Sequence, residues 1–466
     1  MNKNRLIKKY VFTDLLVSLI VWILFMLFRK TVNDAQIFEG VLIFIPNYDF
    51  LSSLLIFPFC CAFIHYLSGF YLNPIKQSPL TAIFTTFIAT AIISFTIFFV
   101  LMLDDIVVSY KYYYYSLMVL FGLLFFFTSF SRLIIASQVR RNYLKKRWTI
   151  NTLIIGTGNN ALKIANELAK KSKQNNLIGF ISTDHSMVVP PEKVLGNMKQ
   201  IASIIENSHI EESIVALENA DEHQLFMIIN SLYKFNIDIQ FTPRLYEILT
   251  GSARITKLGI IPLVNITKPS MPDWEASVKR FSDIIISFLA LVVLSPVLIY
   301  FMIKIKIDSK GPVFYRQERI GRLGKPFKIL KFRTMYVGSE NGTPQLSSAN
   351  DSRITFVGRI LRKYRIDEIP QFWNILKGDM SLVGPRPERR YYINKIIEEA
   401  PYYCLLYRIR PGLTSWGPIK IGYSDTIEKM IERLNFDIIY LDNMSLVTDV
   451  KILIYTFEII FKGKGV

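Results

Sequence analysis

Four apolar stretches, at roughly 10–28, 51–71, 81–103 and 113–131, dominate the first third of the chain. Each approaches the ~20 apolar residues that a helix needs to cross a bilayer. No small-residue cleavage site follows the first, so it reads as a retained anchor rather than a signal peptide. Lys3, Arg5, Lys8 and Lys9 precede the first stretch, and Arg132, Arg140, Arg141, Lys145, Lys146 and Arg147 follow the fourth. The connecting loops hold Asp34, Glu39, Asp49, Asp104 and Asp105 beside fewer cations. Lys and Arg collect on the cytoplasmic side of a membrane, so the pattern predicts a four-helix transmembrane bundle over 1–147 with both ends in the cytoplasm.

The periodicity changes near residue 148. Residues 151–156 read as a buried strand, followed by Gly156-Thr-Gly158-Asn-Asn-Ala161 and a helical pattern to about Lys173. Strand candidates at 177–182, 211–218 and 236–242, with a helix at 221–234, predict a doubly wound, Rossmann-like α/β domain over 148–262. Strand, glycine turn and helix is the order that receives a nucleotide phosphate. Gly156 and Gly158 are therefore a candidate nucleotide-binding turn, although a tight turn of this kind also serves structure alone. A short-chain oxidoreductase or epimerase would add a Tyr-x-x-x-Lys pair, and 148–270 contains none.

A fifth apolar stretch, 284–303, has basic residues on both sides: Lys279 and Arg280 before it, Lys304, Lys306 and Lys310 after it. Ser295-Pro296 stands at its middle, where proline removes a backbone hydrogen bond and bends a helix. The spacing predicts a re-entrant membrane helix at about 281–304 that anchors a C-terminal α/β domain over 272–466. A proline-kinked span is the alternative.

Charge divides along the same boundaries. The chain has 466 residues with 55 Lys and Arg against 37 Asp and Glu, a formal +18. Residues 1–147 carry 14 basic and 6 acidic side chains, 148–270 carry 11 and 11, and 271–466 carry 30 and 20. No nucleic-acid recognition motif accompanies the excess, so no nucleic-acid partner is expected. Three cysteines offer no disulfide framework, and all four histidines precede residue 270. Chemistry in the last domain must proceed without imidazole.

That domain contains four islands: Gly311-Pro-Val-Phe-Tyr-Arg316-Gln-Glu-Arg319-Ile-Gly321, Lys331-Phe-Arg333-Thr-Met335, Asp367-Glu368-Ile-Pro370-Gln-Phe-Trp-Asn374, and Met380-Ser-Leu-Val-Gly384-Pro385-Arg386-Pro387-Glu388. Cations surrounding one acidic pair suit a diphosphate substrate, since Arg forks match phosphate oxygens. The pair has two chemical options: holding Mg²⁺ through its oxygens, or attacking phosphorus as a carboxylate nucleophile. It also reads as an ordinary helix cap before Pro370.

Together with Lys279-Arg280, Asp283 and Ser295-Pro296, these islands resemble the monotopic phosphoglycosyl transferases, bacterial enzymes that start glycan assembly on a polyprenyl (undecaprenyl) phosphate. The resemblance covers roughly 272–466, and the whole chain is similar to the large form, in which four spans and a Rossmann-like domain come first. It implies transfer of a phosphosugar from a UDP-sugar, with release of UMP, at the start of exopolysaccharide, capsule or O-antigen synthesis. By the same resemblance Asp367 is the nucleophile, Asp367 and Glu368 the Mg²⁺ dyad, and Lys331, Arg333, Arg362, Arg386, Arg410 and Asp437 the substrate- and phosphate-binding set. Ser295 and Pro296 match the break of the membrane anchor. The implied partners are a UDP-sugar, polyprenyl phosphate and membrane lipids, at the cytoplasmic face of a bacterial inner membrane; self-association stays open. One segment departs from the family: after Arg410-Pro-Gly-Leu-Thr414 this chain has Ser415-Trp-Gly-Pro-Ile-Lys420, which leaves the donor sugar unassigned. A membrane-tethered nucleotide-sugar oxidoreductase or epimerase, or a non-catalytic membrane scaffold, are the competing readings.

Overall fold

A computed structural model describes residues 3–33, 48–74, 78–104, 111–146, 148–171, 174–183, 188–218, 221–235, 237–242, 263–265, 270–339, 351–422 and 426–461. Asp34, Glu39, Asp105, Arg147, Lys173 and the stretch 243–262 of the expected middle domain lie outside the described residues. The fold divides into two compact units, Met1–Trp148 with Pro272–Lys279, and Thr149–Met271 with Arg280–Val466.

The first unit contains α1 (Lys3–Asn33), α2 (Tyr48–Leu67), α3 (Pro79–Asp104) and α4 (Lys111–Leu144). Among the described residues α1, α3 and α4 are long and apolar enough to cross a membrane, whereas the apolar part of α2, Leu51–Leu67, is shorter. The stretch expected to run to residue 71 ends early because Gly69 turns the chain at φ +79°. A Cβ there would lie 2.4 Å from the backbone of Asp273, so the turn admits glycine alone. Val21, Phe25, Phe57, Cys61, Leu120 and Leu124 form the core, with Trp22 stacked on Phe57 at 4.2 Å. One expectation needs correction. Arg132, read above as a charge flanking the fourth span, lies inside the bundle at 3% exposure, paired with Asp14 at 2.6 Å.

In the second unit the chain continues as β1 (Ile150–Ile155), α5 (Asn159–Lys171), β2 (Asn175–Ser182), β3 (Val194–Asn197), α6 (Ile201–Asn207), β4 (Glu212–Val215), α7 (Glu222–Leu232), β5 (Asp238–Phe241) and β6 (Val264–Asn265). The strands form one sheet in the order β3-β2-β1-β4-β5-β6, parallel except for β6. This is the doubly wound arrangement. β3 and β6 were not foreseen, and β6 falls just past the expected boundary at 262.

α8 (Asp273–Val293) and α9 (Ser295–Asp308) follow, bent by 60° at a one-residue break. Ser295 Oγ donates to the Val292 carbonyl there, and Pro296 cannot extend the preceding helix. Then come the hairpin β7 (Phe314–Ile320) and β8 (Pro326–Phe332), α10 (Phe356–Lys363), α11 (Gln371–Lys377), β9 (Ser381–Val383), α12 (Arg390–Glu399), β10 (Gly412–Thr414), α13 (Trp416–Ile421), α14 (Ile427–Asp442) and α15 (Leu446–Phe461). Ile229, Leu232 and Tyr233 share one core with Tyr403, Cys404 and Tyr407, and the Tyr233 and Tyr407 rings meet at 6.1 Å.

Candidate active site

Three backbone pieces converge around Asp367 and Glu368. The dyad itself sits in a single 3-10 turn, Ile366–Glu368, entered through Arg365 at φ 56°. A left-handed arginine is strained, and it is held by the last turn of α10, where its amide donates to the Arg362 carbonyl. Thr355 caps the start of α10 by accepting from the Gly358 amide at 3.0 Å. Gly358 is required there, since a Cβ would lie 2.2 Å from the Thr334 carbonyl oxygen. After the dyad, α11 is stapled to β8 by Asn374, whose side chain accepts from the Leu330 amide and donates to the Lys328 carbonyl. That staple sets Lys331, on the same strand, against the dyad.

The bent pair α8–α9 supports the same region from behind. Arg280 of α8 donates to the Ile375 and Leu376 carbonyls at the end of α11. Asp283, 4% exposed, accepts from Ser381 Oγ and the Leu382 amide at the start of β9. β9 runs beside β10 so closely that a Cβ on Gly412 would lie 2.2 Å from the Gly384 amide nitrogen. The loop after β9 then delivers Arg386.

The two carboxylates differ in their surroundings. Glu368 Oε1 accepts from Lys331 Nζ at 2.7 Å and lies 3.7 Å from Arg386; Oε2 lies 3.6 Å from Arg365. Burial alone would raise the Glu368 carboxyl, but Lys331, Arg386 and Arg365 outweigh it and hold the group well below the usual carboxylate range. Asp367, 8% exposed, has Lys331 at 3.9 Å. There burial wins, reinforced by the neighbouring Glu368 charge and only partly opposed by Lys331, Arg362 and Arg365, and pushes its carboxyl up to about 6. One acid is thus locked as an anion, and the other keeps a more basic and less encumbered oxygen.

Of the residues expected at the site, the fold brings Lys331 and Arg386 within ion-pair distance of the dyad, whereas Arg362 Nε donates to Thr334 Oγ1 and reaches Asp367 through its charge alone. Arg333 is elsewhere: its guanidinium donates to the Ile305, Ser309 and Lys310 carbonyls and caps the C-terminal end of α9. Arg410 Nε donates to the Gly378 carbonyl, tying the loop after α11 to the approach to β10. Asp437, 3% exposed on α14, accepts from Ser415 Oγ and the Gly417 and Arg386 amides. It organises the backbone behind Arg386. Arg365, absent from the expected set, contacts Glu368 directly. Glu388 also has an unforeseen role, joining Arg319 to Arg433 beneath the Pro385–Pro387 loop.

The glycine turn of the middle domain is occupied from within. Gly156, at φ +120°, packs against the Ala216 carbonyl, and Glu218 Oε1 accepts from the Asn160 amide at 3.1 Å. A Cβ on Gly158 would lie 2.8 Å from the Glu218 carboxyl. A side-chain anion therefore stands at the helix terminus where a nucleotide phosphate would bind.

Comparison with known proteins finds two family matches along the chain. Residues 274–463 match the bacterial sugar transferase family, and residues 67–243 match a family described as a CoA-binding domain. The chain is 36% identical over 230 residues to the UDP-N-acetylgalactosamine-undecaprenyl-phosphate N-acetylgalactosaminephosphotransferase of Aeromonas hydrophila, covering 49% of this chain and 54% of that protein. It is 32% identical over 270 residues to the UDP-glucose:undecaprenyl-phosphate glucose-1-phosphate transferase of Escherichia coli K12, covering 58% of each. An uncharacterized sugar transferase of Haemophilus influenzae is 30% identical over 360 residues, covering 70% of this chain and 72% of its own length. The first two matches thus span little more than half of their relatives.

Proposed function

This chain belongs to the bacterial sugar transferases, and on that premise we propose that it moves a phosphosugar from a UDP-sugar to polyprenyl phosphate. The observation that carries the reading is the buried pair of unlike carboxylates among Lys331, Arg362, Arg365 and Arg386. The Asp367 oxygen attacks the β-phosphorus, a P–O–Asp bond forms, and the bond to UMP breaks. A phosphate oxygen of the polyprenyl phosphate then attacks the same phosphorus and returns the carboxylate, giving polyprenyl-diphospho-sugar. The nucleophile loses no proton in either step, so no histidine is needed. Glu368, held anionic, orients Lys331, Arg365 and Arg386 toward the charge that builds at phosphorus.

The dyad carboxylates are the proposed magnesium ligands. Among the described residues no cluster of three or more acidic, histidine or cysteine ligands exists, and Mg²⁺ is commonly held by one or two carboxylates with phosphate oxygens and water. Asp367 and Glu368 would hold it, and it would neutralise diphosphate charge. The membrane arrangement we propose has four spans, α2 included, with α8–α9 entering and leaving on one side. That places the dyad at the cytoplasmic face of the bacterial inner membrane, for the first membrane step of surface-glycan synthesis. The relatives differ in their named sugars, so the donor is left to experiment. An oxidoreductase reading loses support from Glu218, which fills the phosphate position of the glycine turn.

Purified protein incubated with labelled UDP-sugars, Mg²⁺ and polyprenyl phosphate tests the proposal. Labelled lipid from at least one sugar, absent in Asp367→Asn, is expected. No product from any sugar, or an undiminished yield from the variant, overturns it.

A further inference from the structure

Beside the dyad, a narrow cleft lies between the turn from β10 to α13 and the helix α15. Arg365 and Arg386, the two guanidiniums facing Glu368, line one part of it. Leu413, Pro418, Ile419 and Ile459 supply an apolar wall.

The hydroxyls in that wall have their protons committed to the protein. Thr456 Oγ1 donates to the Ile452 carbonyl, which leaves Thr414 as the donor in the Thr414–Thr456 pair; Ser415 Oγ donates to Asp437. A site that recognises a sugar presents free donors and acceptors, because a buried sugar hydroxyl left unpaired is costly. The side chains here offer two cations, hydrocarbon, and hydroxyl oxygens left only to accept. The helix behind them is apolar on its outer side too: Val447, Val450, Ile454 and Phe457, spaced three or four apart, are all exposed.

We propose that this cleft seats the first isoprene units of the acceptor, with the acceptor phosphate at Arg365 and Arg386. The inference rests on the transferase reading and assigns the Ser415–Ile419 segment to the lipid substrate rather than to the sugar. It also gives a reason for Pro418 and Ile419, which carry no hydrogen-bonding side chain into a site next to the chemistry.

Two measurements on the full-length protein test it. In steady-state assays Ile419→Asn is expected to raise KM for polyprenyl phosphate on the order of tenfold, from loss of one buried aliphatic contact. KM for the UDP-sugar should stay within about twofold, and Ile419→Leu should restore the acceptor KM. A rise in KM for the UDP-sugar with that for the acceptor unmoved would assign the cleft to the sugar and overturn the proposal. Equilibrium binding of polyprenyl phosphate in mixed micelles, without donor, keeps the test separate from catalysis. Weaker binding by Ile419→Asn and by Ile459→Gln is expected, and unaltered binding by both overturns the cleft assignment even if wild type makes product. A wild type that binds the lipid through this cleft yet makes no product with any UDP-sugar would instead overturn the transferase reading.

Discussion

In the helical bundle one carboxylate, Asp14, pairs with one cation, Arg132, while in the second unit two carboxylates pair with three cations. Around the first pair every contact completes a closed set: Arg132 donates twice to Asp14 and once to Thr86 Oγ1, Tyr71 donates to Asp14, and the guanidinium lies 3.7 Å from the Phe70 ring. Around the second, Lys331, Arg365 and Arg386 all approach Glu368 while Asp367 is left comparatively open. A buried balanced pair fixes how helices pack. A buried surplus of one sign is electrostatically incomplete until a ligand of the other sign arrives, which is how a site stores attraction for a phosphate.

If the surplus serves the substrate and Asp367 the chemistry, Asp367→Asn should lower lipid-linked product formation by roughly 10³-fold or more, since the attacking oxygen is lost. Its thermal midpoint should be little changed. A residual rate within tenfold of wild type would erase the contrast in role between the carboxylates. The balanced pair should fail in the opposite manner. Arg132→Met strands Asp14 in the apolar interior and should cost about 3–5 kcal/mol, whereas Asp14→Leu combined with Arg132→Met should recover most of that. Thermal unfolding in detergent measures both; a double variant as unstable as the single one would show that the charges do more than balance each other. Arg386→Gln, removing one surplus cation, should lower turnover by about 10²-fold with a small effect on folding. An effect on folding as large as that of Arg132→Met would make the two clusters alike.

The unequal environments also set a pH dependence. Burial outweighs the cationic neighbours of Asp367 and pushes its carboxyl up to about 6. If the proposed attack by ionised Asp367 limits turnover, the rate should reach a plateau above that value and fall about tenfold for each unit below it. Lys331→Met removes the cation that most lowers the group, so the acidic limb should move to higher pH. A limb that stays in place in this variant would mean that another group controls it.

Much of this asymmetry was legible in the chain. The acidic pair, Lys331 and Arg386 lie in islands whose residue types already suggest phosphate chemistry, and the doubly wound order follows from the alternation of strands and helices. The rest depended on geometry that spacing does not encode. Lys331 and Arg333 are two apart and look like neighbours on one strand face, but β8 ends at Phe332, so Arg333 turns toward α9. Arg365 reaches Glu368 from a left-handed backbone, a conformation for which arginine carries no sequence signal. Arg132 borders the fourth apolar stretch and reads as a flank, yet α4 runs on to Leu144 and carries it inside the bundle. β3 and β6, four and two residues long, are too short to show an alternating pattern.

The middle domain supplies the last and smallest test, because it is a third solution to the same electrostatic problem. The N-terminus of α5 carries the partial positive charge of its unpaired amides, as the dyad region carries the charge of its arginines. Here the chain supplies the anion itself, through Glu218 on the Asn160 amide. Glu218→Gln keeps an oxygen that can accept from that amide but removes the full charge, so the variant should lose about 0.3–1 kcal/mol of stability. Because the turn lies outside the proposed chemistry, turnover should stay within about twofold of wild type. A gain of nucleotide binding in the variant, detected by calorimetry, would show that the glycine turn is a phosphate site held shut by its own carboxylate. No gain would mean that Glu218 completes the turn as the Asp14–Arg132 pair completes the bundle, leaving the dyad as the cluster whose missing counter-charge comes from substrate.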